Sequence, residues 1–579
     1  MGIKHFFTWF KNNFSENIIK VKLGETLEEC RESALDSEGI SIDNFMIDMN
    51  GIFHNSAQKI YEYGNFKAKE RLLGKRRPRQ FDKKKRQEDL FKHICDTVDT
   101  LVKIVKPKKR VILCVDGPAP LSKQNQQRQR RFMSALNSAE EKPNFDSNCI
   151  TPGTKFMDFL SKYIDFYIKK TLSEKKWGDI EVIFSNEKSP GEGEHKLINY
   201  IRKYGNIEES YLIHGMDADL IMLSLGTHYP NFYILRDELM ETATFPYYLI
   251  NIGGVRGKLS EMMFWESKSN KQFDSRSAIN DFIFMCFTVG NDFLPHIPGI
   301  EIIEGGIDFM LDVYKKVCCD YGHLTRDKSS GIRFRRKCLV HFLGTLSQYE
   351  KGVFEDKLSH REKFFPDVML ESCSKLDDNN KYIVDIEKYR EIYRDTNFGK
   401  DTDITEVCHQ YLDGMQWVLT YYTKGIPDWK WRYPYHYAPF SFWLKDNVKS
   451  FKFREYTETS PTLPFIQLLS VLPPKCSYLL PEPLNKVLET NMGKYCPEKI
   501  EVDLSGKRQE WEGTVKLPMI DYSEVEKLYI RQVKNIDERE RKRNILGKSF
   551  LYKFSEKSYE LKSYYGEFTC KAEVCFINI

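Results

Sequence analysis

Short apolar runs alternate with longer amphipathic stretches in the first half of the chain. Runs of three to five apolar residues, typical of strands buried on both faces, occur at 45–47, 111–115, 182–184 and 211–213. Between these runs, residues 90–103 repeat apolar side chains at helical spacing, and residues 194–204 are also typical of a helix. This alternation predicts an α/β fold with a doubly wound, mainly parallel sheet.

The pattern changes in the second half and divides the chain. Residues 327–405 lose the strand signal and become charged and helical, whereas residues 416–442 are dense in Trp, Tyr and Pro. Within the first half, residues 67–86 form a basic run with few apolar side chains, which indicates an exposed insertion. We expect a catalytic region at 1–326, a helical linker at 327–405, a second region bordering the active site at 406–554, and a C-terminal tail without a recognisable signature at 555–579.

Composition narrows the class of protein. A chain of 579 residues with 41% hydrophobic side chains is globular, and its net charge of +5 leaves any nucleic-acid affinity to local clusters. The 14 cysteines include no C-x-x-C pair, which favours a reducing compartment over a disulfide scaffold. There is no run of about 18 apolar residues, so we expect no membrane span. The expected location is cytoplasmic, with a nuclear address through residues 75–86 as the alternative.

Acidic side chains follow the predicted strands at the points where the strands end. Asp48 follows the first run and Asp116 the second, while Asp217 and Asp219 come shortly after the fourth. The third run leads into a glycine-rich segment with two more acids, and a last acid follows an apolar helix. The candidate metal-binding and catalytic acids are Asp48, Asp116, Glu192, Glu194, Asp217, Asp219 and Asp292. Because the carboxyl ends of parallel strands lie at one edge of a sheet, these side chains can converge there.

Converging carboxylates repel one another unless cations neutralise them. Ligand sets made only of carboxylates suit Mg²⁺ or Mn²⁺, and a pair of such ions can bind both the attacking and the leaving oxygen of a phosphodiester. Taken singly, each of these acids is more often a solvated loop residue or a helix cap. Their convergence favours hydrolysis of phosphodiesters with two Mg²⁺ ions, for which Mn²⁺ can substitute.

A basic helix is predicted directly after Asp116 and a Gly-Pro turn. At helical spacing, Lys123, Gln127, Arg130 and Arg131 share one face. Cations and an amide on that face can bind a terminal phosphate beside the metal ions. A solvated Gln/Arg helix is the competing interpretation, and the attachment to Asp116 favours the phosphate site.

The chain resembles the Xrn family of 5′→3′ exoribonucleases. The resemblance depends on blocks that occur in the family's order, at 46–55, 116–132, 147–154, 189–196, 215–220 and 290–296. It extends into the second region through 414–418, 429–440, 469–473 and 511–513. The family likeness implies a sheet of the PIN or flap-nuclease kind.

By this resemblance, the seven acids occupy metal-binding positions, and Lys123, Gln127, Arg130 and Arg131 form the pocket for a 5′-monophosphate. The resemblance also implies that His54 stacks on the first bases together with a tryptophan, for which Trp431 and Trp429 are the candidates. The implied reaction is processive hydrolysis of 5′-monophosphorylated single-stranded RNA to nucleoside 5′-monophosphates, in the decay of decapped mRNA. Decapping or RNA-decay factors are the expected further partners, and the protein is expected to be a monomer.

Two other functions remain open at this stage. A structure-specific flap-type endonuclease also gathers acids at a sheet edge, although we find no signature of a duplex-binding helical hairpin. A catalytically inactive RNA-binding scaffold would use the basic insertion and the aromatic segment. Clustered carboxylates are costly to hold together, so the acid set argues against the scaffold.

Overall fold

The fold is given by a computed structural model, which describes residues 5–21, 35, 38–64, 83–137, 144–238, 246–268, 271–329, 331–457 and 459–579. Its strands are β1 (Ile18–Val21), β2 (Asn44–Asp48), β3 (Arg110–Cys114), β4 (Glu181–Ser185), β5 (Tyr211–His214), β6 (Phe232–Asp237), β7 (Tyr247–Asn251), β8 (Thr325–Arg326), β9 (Arg333–Phe334), β10 (Ser374–Leu376), β11 (Tyr382–Val384), β12 (Glu501–Asp503), β13 (Thr514–Lys516), β14 (Ser549–Ser563) and β15 (Gly566–Ile577).

Within the described residues, nine strands form one sheet in the order β1-β7-β6-β5-β2-β3-β4-β14-β15. The central strands β6, β5, β2, β3 and β4 are parallel, and the outer pairs are antiparallel. The strand order reverses between β2 and β5, which is where a doubly wound sheet opens a crevice for ligands. The predicted α/β class and the predicted mainly parallel sheet are confirmed, and all four predicted strands belong to it.

Alternating side chains along the central strands enter two different hydrophobic cores. Met46 of β2 packs with Ile112 and Ile213 on one face of the sheet, whereas Phe45 and Ile47 pack on the other. Successive side chains of a strand point to opposite faces, so a continuous apolar run is what a sheet covered on both faces requires. This is why the strands appear in the sequence as unbroken apolar runs.

The helices cover both faces of the sheet and build the second half of the chain. They are α1 (Phe6–Asn13), α2 (Met49–Tyr61), α3 (Lys83–Val105), α4 (Leu121–Asn137), α5 (Lys155–Ser173), α6 (Gly193–Tyr204), α7 (Asp219–Thr227), α8 (Ile252–Met263), α9 (Ser275–Cys286), α10 (Gly306–Tyr321), α11 (Arg336–Ser359), α12 (Val368–Ser372), α13 (Ile386–Asn397), α14 (Ile404–Thr423), α15 (Ser441–Asn447), α16 (Pro464–Val471), α17 (Leu484–Thr490), α18 (Tyr522–Gln532) and α19 (Glu538–Arg541). In the described part of the chain, no helix is long and apolar enough to cross a membrane.

The second region shares a core with the sheet instead of forming a separate body. Trp417, Tyr421 and Tyr422 of α14 are buried in the cluster that contains Met46 and Ile112. Residues 465–536 add a smaller cluster of their own. Helix α14 therefore packs against the sheet region, and its side chains can contribute to a site at the sheet edge.

The prediction that residues 555–579 form a C-terminal tail is wrong. In the structure, β14 and β15 form a long antiparallel hairpin that extends the sheet beside β4. Alternating side chains along this hairpin, such as Tyr552 and Cys570, are buried, while many others are exposed. The basic insertion at 67–86 lies mostly outside the described residues, and its last part, from Lys83, belongs to α3.

Candidate active site

A cavity of about 830 Å³ opens at the carboxyl edge of the parallel strands, between the sheet and the second region. It is lined by six of the seven predicted acids, namely Asp48, Asp116, Glu192, Glu194, Asp217 and Asp292. The seventh, Asp219, begins α7 and is buried behind the cavity wall, where it accepts a hydrogen bond of 3.1 Å from the Tyr422 hydroxyl. The structure therefore brings the predicted acids together at one edge of the sheet.

The first two acids are held by an asparagine between them. Asp48 ends β2 and caps α2, accepting a hydrogen bond of 3.4 Å from the Asn50 amide. The Asn50 side chain donates to Asp116 Oδ2 at 2.9 Å and accepts from the Asp116 amide at 3.0 Å. This reciprocal pair fixes the loop after β3 against the start of α2, so the two carboxylates keep their relative positions.

Glycine at position 193 is required by the crowding of these carboxylates. The Gly193 amide donates to Asp116 Oδ1 at 2.7 Å. A Cβ at this position would lie 2.6 Å from Asp48 Oδ1 and 3.2 Å from the carbonyl oxygen of Cys114. Contacts this short are repulsive, so only glycine lets the first turn of α6 approach the ends of β2 and β3. Glu192 and Glu194 enter the site from this turn.

Lys123 lies between two of the acids. Its ammonium donates to Asp292 Oδ2 at 2.6 Å and lies 2.5 Å from Glu192 Oε2. Glu192 also accepts a hydrogen bond of 2.7 Å from the buried Tyr421 hydroxyl of α14. Burial by itself would raise the pKa of Asp292, but the nearby cations, Lys123 foremost among them and Arg130 as well, together lower it. Sequence reasoning missed Tyr421 and Tyr422, whose position on an apolar helix carried no signal of a polar role.

Three other acids, Asp48, Glu194 and Asp219, have pKa values raised above the ordinary range. Burial, with repulsion from Asp116 and Asp217, raises the pKa of Asp48 well above its ordinary value. Burial and the Asp217 charge do the same for Glu194, whose Oε2 is buried without a hydrogen-bond partner. Burial, together with the Asp292 charge, raises the pKa of Asp219 to about 7. Buried carboxylates in this state favour a bound cation.

The carboxylates of the cavity are suitable ligands for hard divalent cations, although in the described structure they do not surround one ion position. Among the described residues, no group of three or more acidic, histidine or cysteine side chains is arranged to hold a metal ion as it stands. Lys123 supplies part of the reason, since its ammonium fills the space between Glu192 and Asp292. Carboxylates converging from several loops, one of them with an unpartnered buried oxygen, are nevertheless the ligands that Mg²⁺ and Mn²⁺ prefer.

The predicted phosphate-binding face of α4 also borders the cavity. Lys123, Gln127, Arg130 and Arg131 all line it. Arg130 is exposed, whereas Arg131 has a buried Nη1 without a hydrogen-bond partner among the described residues. Arg128, on the opposite face, is buried and donates to the backbone carbonyls of Tyr495 and Pro518. The helix therefore divides into a structural face and a face with donors available to an anion.

His54 lines the cavity, whereas neither Trp431 nor Trp429, the tryptophans expected to stack beside it, does so. Trp431 is buried in the core, where it stacks on Trp417 with ring centroids 4.9 Å apart. Trp429 lies on the wall of a different pocket. The cavity instead contains Trp511, which is 55% exposed and lies 5.5 Å from the His5 ring between centroids. The aromatic density around Trp431 reflects core packing, which sequence alone does not separate from base binding.

Comparison with known proteins identifies the family. Residues 1–238 match the family model described as the N-terminus of XRN 5′→3′ exonucleases, and residues 272–383 and 386–574 match that of the Xrn1 helical domain. The chain belongs to the Xrn family of 5′→3′ exoribonucleases. The first match in this Xrn protein ends at residue 238 and the second begins at residue 272. The sequence pattern instead predicts the end of the first region at residue 326.

Curated relatives of this Xrn chain are similar along almost all of its length. It is 28% identical to "5′-3′ exoribonuclease 2 homolog" of Drosophila melanogaster, covering 95% of this chain and 73% of the relative. It is also 28% identical to "5′-3′ exoribonuclease 1" of Schizosaccharomyces pombe and of Homo sapiens, covering 50% and 35% of those proteins. The chain thus spans half or less of these two relatives.

Among solved structures, the Xrn chain is similar to the catalytic core of Rad2 in complex with DNA substrate. The match has a TM-score of 0.31 and 13% sequence identity, and it covers 72% of this chain and 100% of that chain.

Proposed function

We propose that this chain degrades 5′-monophosphorylated single-stranded RNA processively from its 5′ end and releases nucleoside 5′-monophosphates, as a step in RNA decay that includes decapped mRNA. The observation that carries the proposal is one cavity with a crowded carboxylate set beside a row of phosphate-binding donors on α4. Membership of the Xrn family supports the direction and the RNA substrate. The curated relatives are named for the same activity.

The carboxylates at the sheet edge are the proposed ligands for two divalent cations. Asp48, Asp116, Glu192, Glu194, Asp217, Asp219 and Asp292 would hold them. When bound, the ions supply a nucleophilic water at neutral pH and stabilise the charge that develops on the phosphodiester. The protein's own contribution is the fixed positions of the acids, through Asn50 for Asp116 and through Tyr421 for Glu192.

The donors of α4 are proposed to bind the terminal 5′-phosphate. Arg131 offers a buried donor without a partner, and an anion would satisfy it. Arg130 lies exposed on the same helix face and adds a second cation. Lys123 is engaged by Glu192 and Asp292 in the structure, so its approach to a phosphate would require exchange of these contacts. A 5′-hydroxyl end gives none of these donors a charged acceptor.

Single-stranded RNA entering the cavity would meet two aromatic rings in its lining. Trp511 and His54 both line the cavity, from the second region and from α2 respectively. Burial lowers the pKa of His54 to about 4, so its ring is neutral at physiological pH and suited to stacking. Every base presents a flat aromatic face, and stacking therefore binds RNA of any sequence.

Directional degradation tests the proposal. A single-stranded RNA with a 5′-monophosphate is labelled either at its 5′-terminal phosphate or at its 3′ end, and products are followed in Mg²⁺. We expect the 5′ label to appear at once as a mononucleotide, while the 3′ label stays in full-length RNA until it too appears as short products. Internal cuts of a flap DNA would favour the flap-type endonuclease, and binding without degradation would favour the scaffold.

A further inference from the structure

A second cavity, of about 890 Å³, lies on the other side of the first turn of α6. We call it the rear pocket and define it by His195, Arg202, Lys203, Lys424, Trp429 and Lys548, which line it. Glu192 and Glu194 line the active-site cavity, whereas His195 and Lys196 line the rear pocket. One helical turn therefore separates the two cavities.

The rear pocket is cationic. Lys196, Arg202, Lys203, Lys424 and Lys548 line it, and in the described part of the chain no Asp or Glu side chain does so. None of these five basic groups has a described carboxylate within salt-bridge distance, although many other lysines of the protein do. Lys203, Lys424 and Lys548 are exposed. Ile579, the last residue in the structure, also lines the pocket and adds one carboxylate, so the basic groups outnumber the acidic ones. Basic groups in such excess attract anions.

An aromatic ring adjoins these cations. The Trp429 backbone is fixed at both ends, because its amide donates to Thr459 Oγ1 at 2.7 Å and its carbonyl accepts from the Leu121 amide at 2.9 Å. The indole ring is only partly buried and lines the pocket beside Ile426 and Pro427. A half-buried indole on an apolar wall can stack on a nucleobase.

A buried polar atom at the wall also lacks a partner. His195 is 2% exposed, and its Nδ1 makes no hydrogen bond with the described residues. Its ring stacks on Tyr421 with centroids 3.7 Å apart and planes 4° apart, which fixes its orientation. A buried ring nitrogen without a partner costs free energy that a bound ligand can recover.

We propose that the rear pocket is a second nucleotide site, which binds a mononucleotide with its phosphate among Lys203, Lys424 and Arg202 and its base on Trp429. The volume lies in the range of about 300–1,000 Å³ that is typical of small-ligand sites. The combination of basic groups without carboxylate partners in salt-bridge distance and a partly buried indole fits a base joined to a phosphate better than it fits a simple anion.

Counting bound adenosine 5′-monophosphate (AMP) by equilibrium dialysis tests the proposal on the full chain in Mg²⁺. The wild-type protein should bind one more AMP per chain than the double variant Lys203→Glu with Lys424→Glu. The double variant Lys103→Glu with Lys449→Glu makes the same charge change at exposed sites outside both cavities and should bind as the wild type does. The comparison uses the difference between proteins, so it holds whether or not AMP also binds in the active-site cavity.

Three results would overturn the proposal. The first is an equal number of bound AMP in wild-type protein and in the Lys203/Lys424 variant. The second is displacement of the rear AMP by inorganic phosphate as effectively as by AMP, with no effect of Trp429→Ala, which would leave a simple anion site. The third is displacement by a 5′-hydroxyl RNA at lower concentration than by AMP, which would make the pocket part of an RNA path. The proposal expects at least a tenfold loss of AMP affinity in Trp429→Ala.

Discussion

The two walls of the active-site cavity are built differently. The acidic wall comes from short segments at or just after strand ends, such as Asp48 at the end of β2 and Asp116 shortly after β3. The opposite wall comes from residues far along the chain, including Arg432 and Trp511, whose neighbours in sequence give no indication of a shared site. At a sheet edge, the sheet itself brings together acids that lie close to strand ends in the sequence. The substrate-contacting wall instead forms only when residues far apart in the sequence pack together.

Removing an acid should give the largest effect. In Asp219→Asn, the site loses a negative charge that the proposed cations require, and kcat should fall by about 1,000-fold or more, since cation-assisted stabilisation amounts to several kcal/mol. The melting temperature of the metal-free protein should not fall, because one repelling charge is gone. Asp312→Asn, on an exposed helix site, is the matched control and should retain full activity. An active Asp219→Asn enzyme would contradict the proposed role of Asp219 in holding the cations.

Removing a donor of α4 should affect the 5′ end specifically. In Arg131→Ala, the preference for a 5′-monophosphate over a 5′-hydroxyl RNA should fall roughly 10- to 100-fold, because a hydrogen bond to a charged group is worth about 1.5–3 kcal/mol. The measurement is kcat/KM on the two RNAs. Arg531→Ala changes an exposed arginine elsewhere and should leave the preference intact. An equal loss on both RNAs would instead indicate a structural role for Arg131.

The tryptophans of the second region should separate into two classes. Trp511→Ala should raise KM for single-stranded RNA by about tenfold, since stacking contributes about 1–3 kcal/mol per base, and should leave the melting temperature nearly unchanged. Trp431→Ala should instead destabilise the fold by about 3–5 kcal/mol, because it empties a buried core position. Thermal unfolding and steady-state kinetics on both variants check this. A raised KM with an unchanged melting temperature in Trp431→Ala would instead indicate that Trp431 contacts the substrate.

The smallest effect is the pH dependence of metal stabilisation. The raised pKa of Asp219, about 7, means that the metal-free folded protein favours its protonated form. Stability from this group is therefore present below the unfolded pKa near 4 and is lost as the pH rises toward 7. Adding Mg²⁺ should raise the melting temperature more at pH 8 than at pH 6, where protons compete with the ion. An equal or larger rise at pH 6 would contradict this electrostatic description.

Much of the sheet was predictable, because strands buried on both faces appear as unbroken apolar runs. The acids were also predictable, since each follows its strand or helix within a few residues. The hairpin β14–β15 was not, because its alternating side chains are largely exposed and its partner β4 lies more than 360 residues away. The choice between Trp431 and Trp511 depends on which ring is buried, and that is decided by contacts such as the stacking on Trp417.

The central claim is that the acidic wall and the donors of α4 act together on a 5′-monophosphate. Its most direct test is a time course on one end-labelled RNA that carries a 5′-monophosphate, a 5′-hydroxyl or a 5′-triphosphate, each in Mg²⁺ and in EDTA. We predict mononucleotides only from the 5′-monophosphate RNA in Mg²⁺. Degradation at equal rates from all three ends would contradict the phosphate site, and degradation in EDTA would contradict the proposed role of the carboxylates.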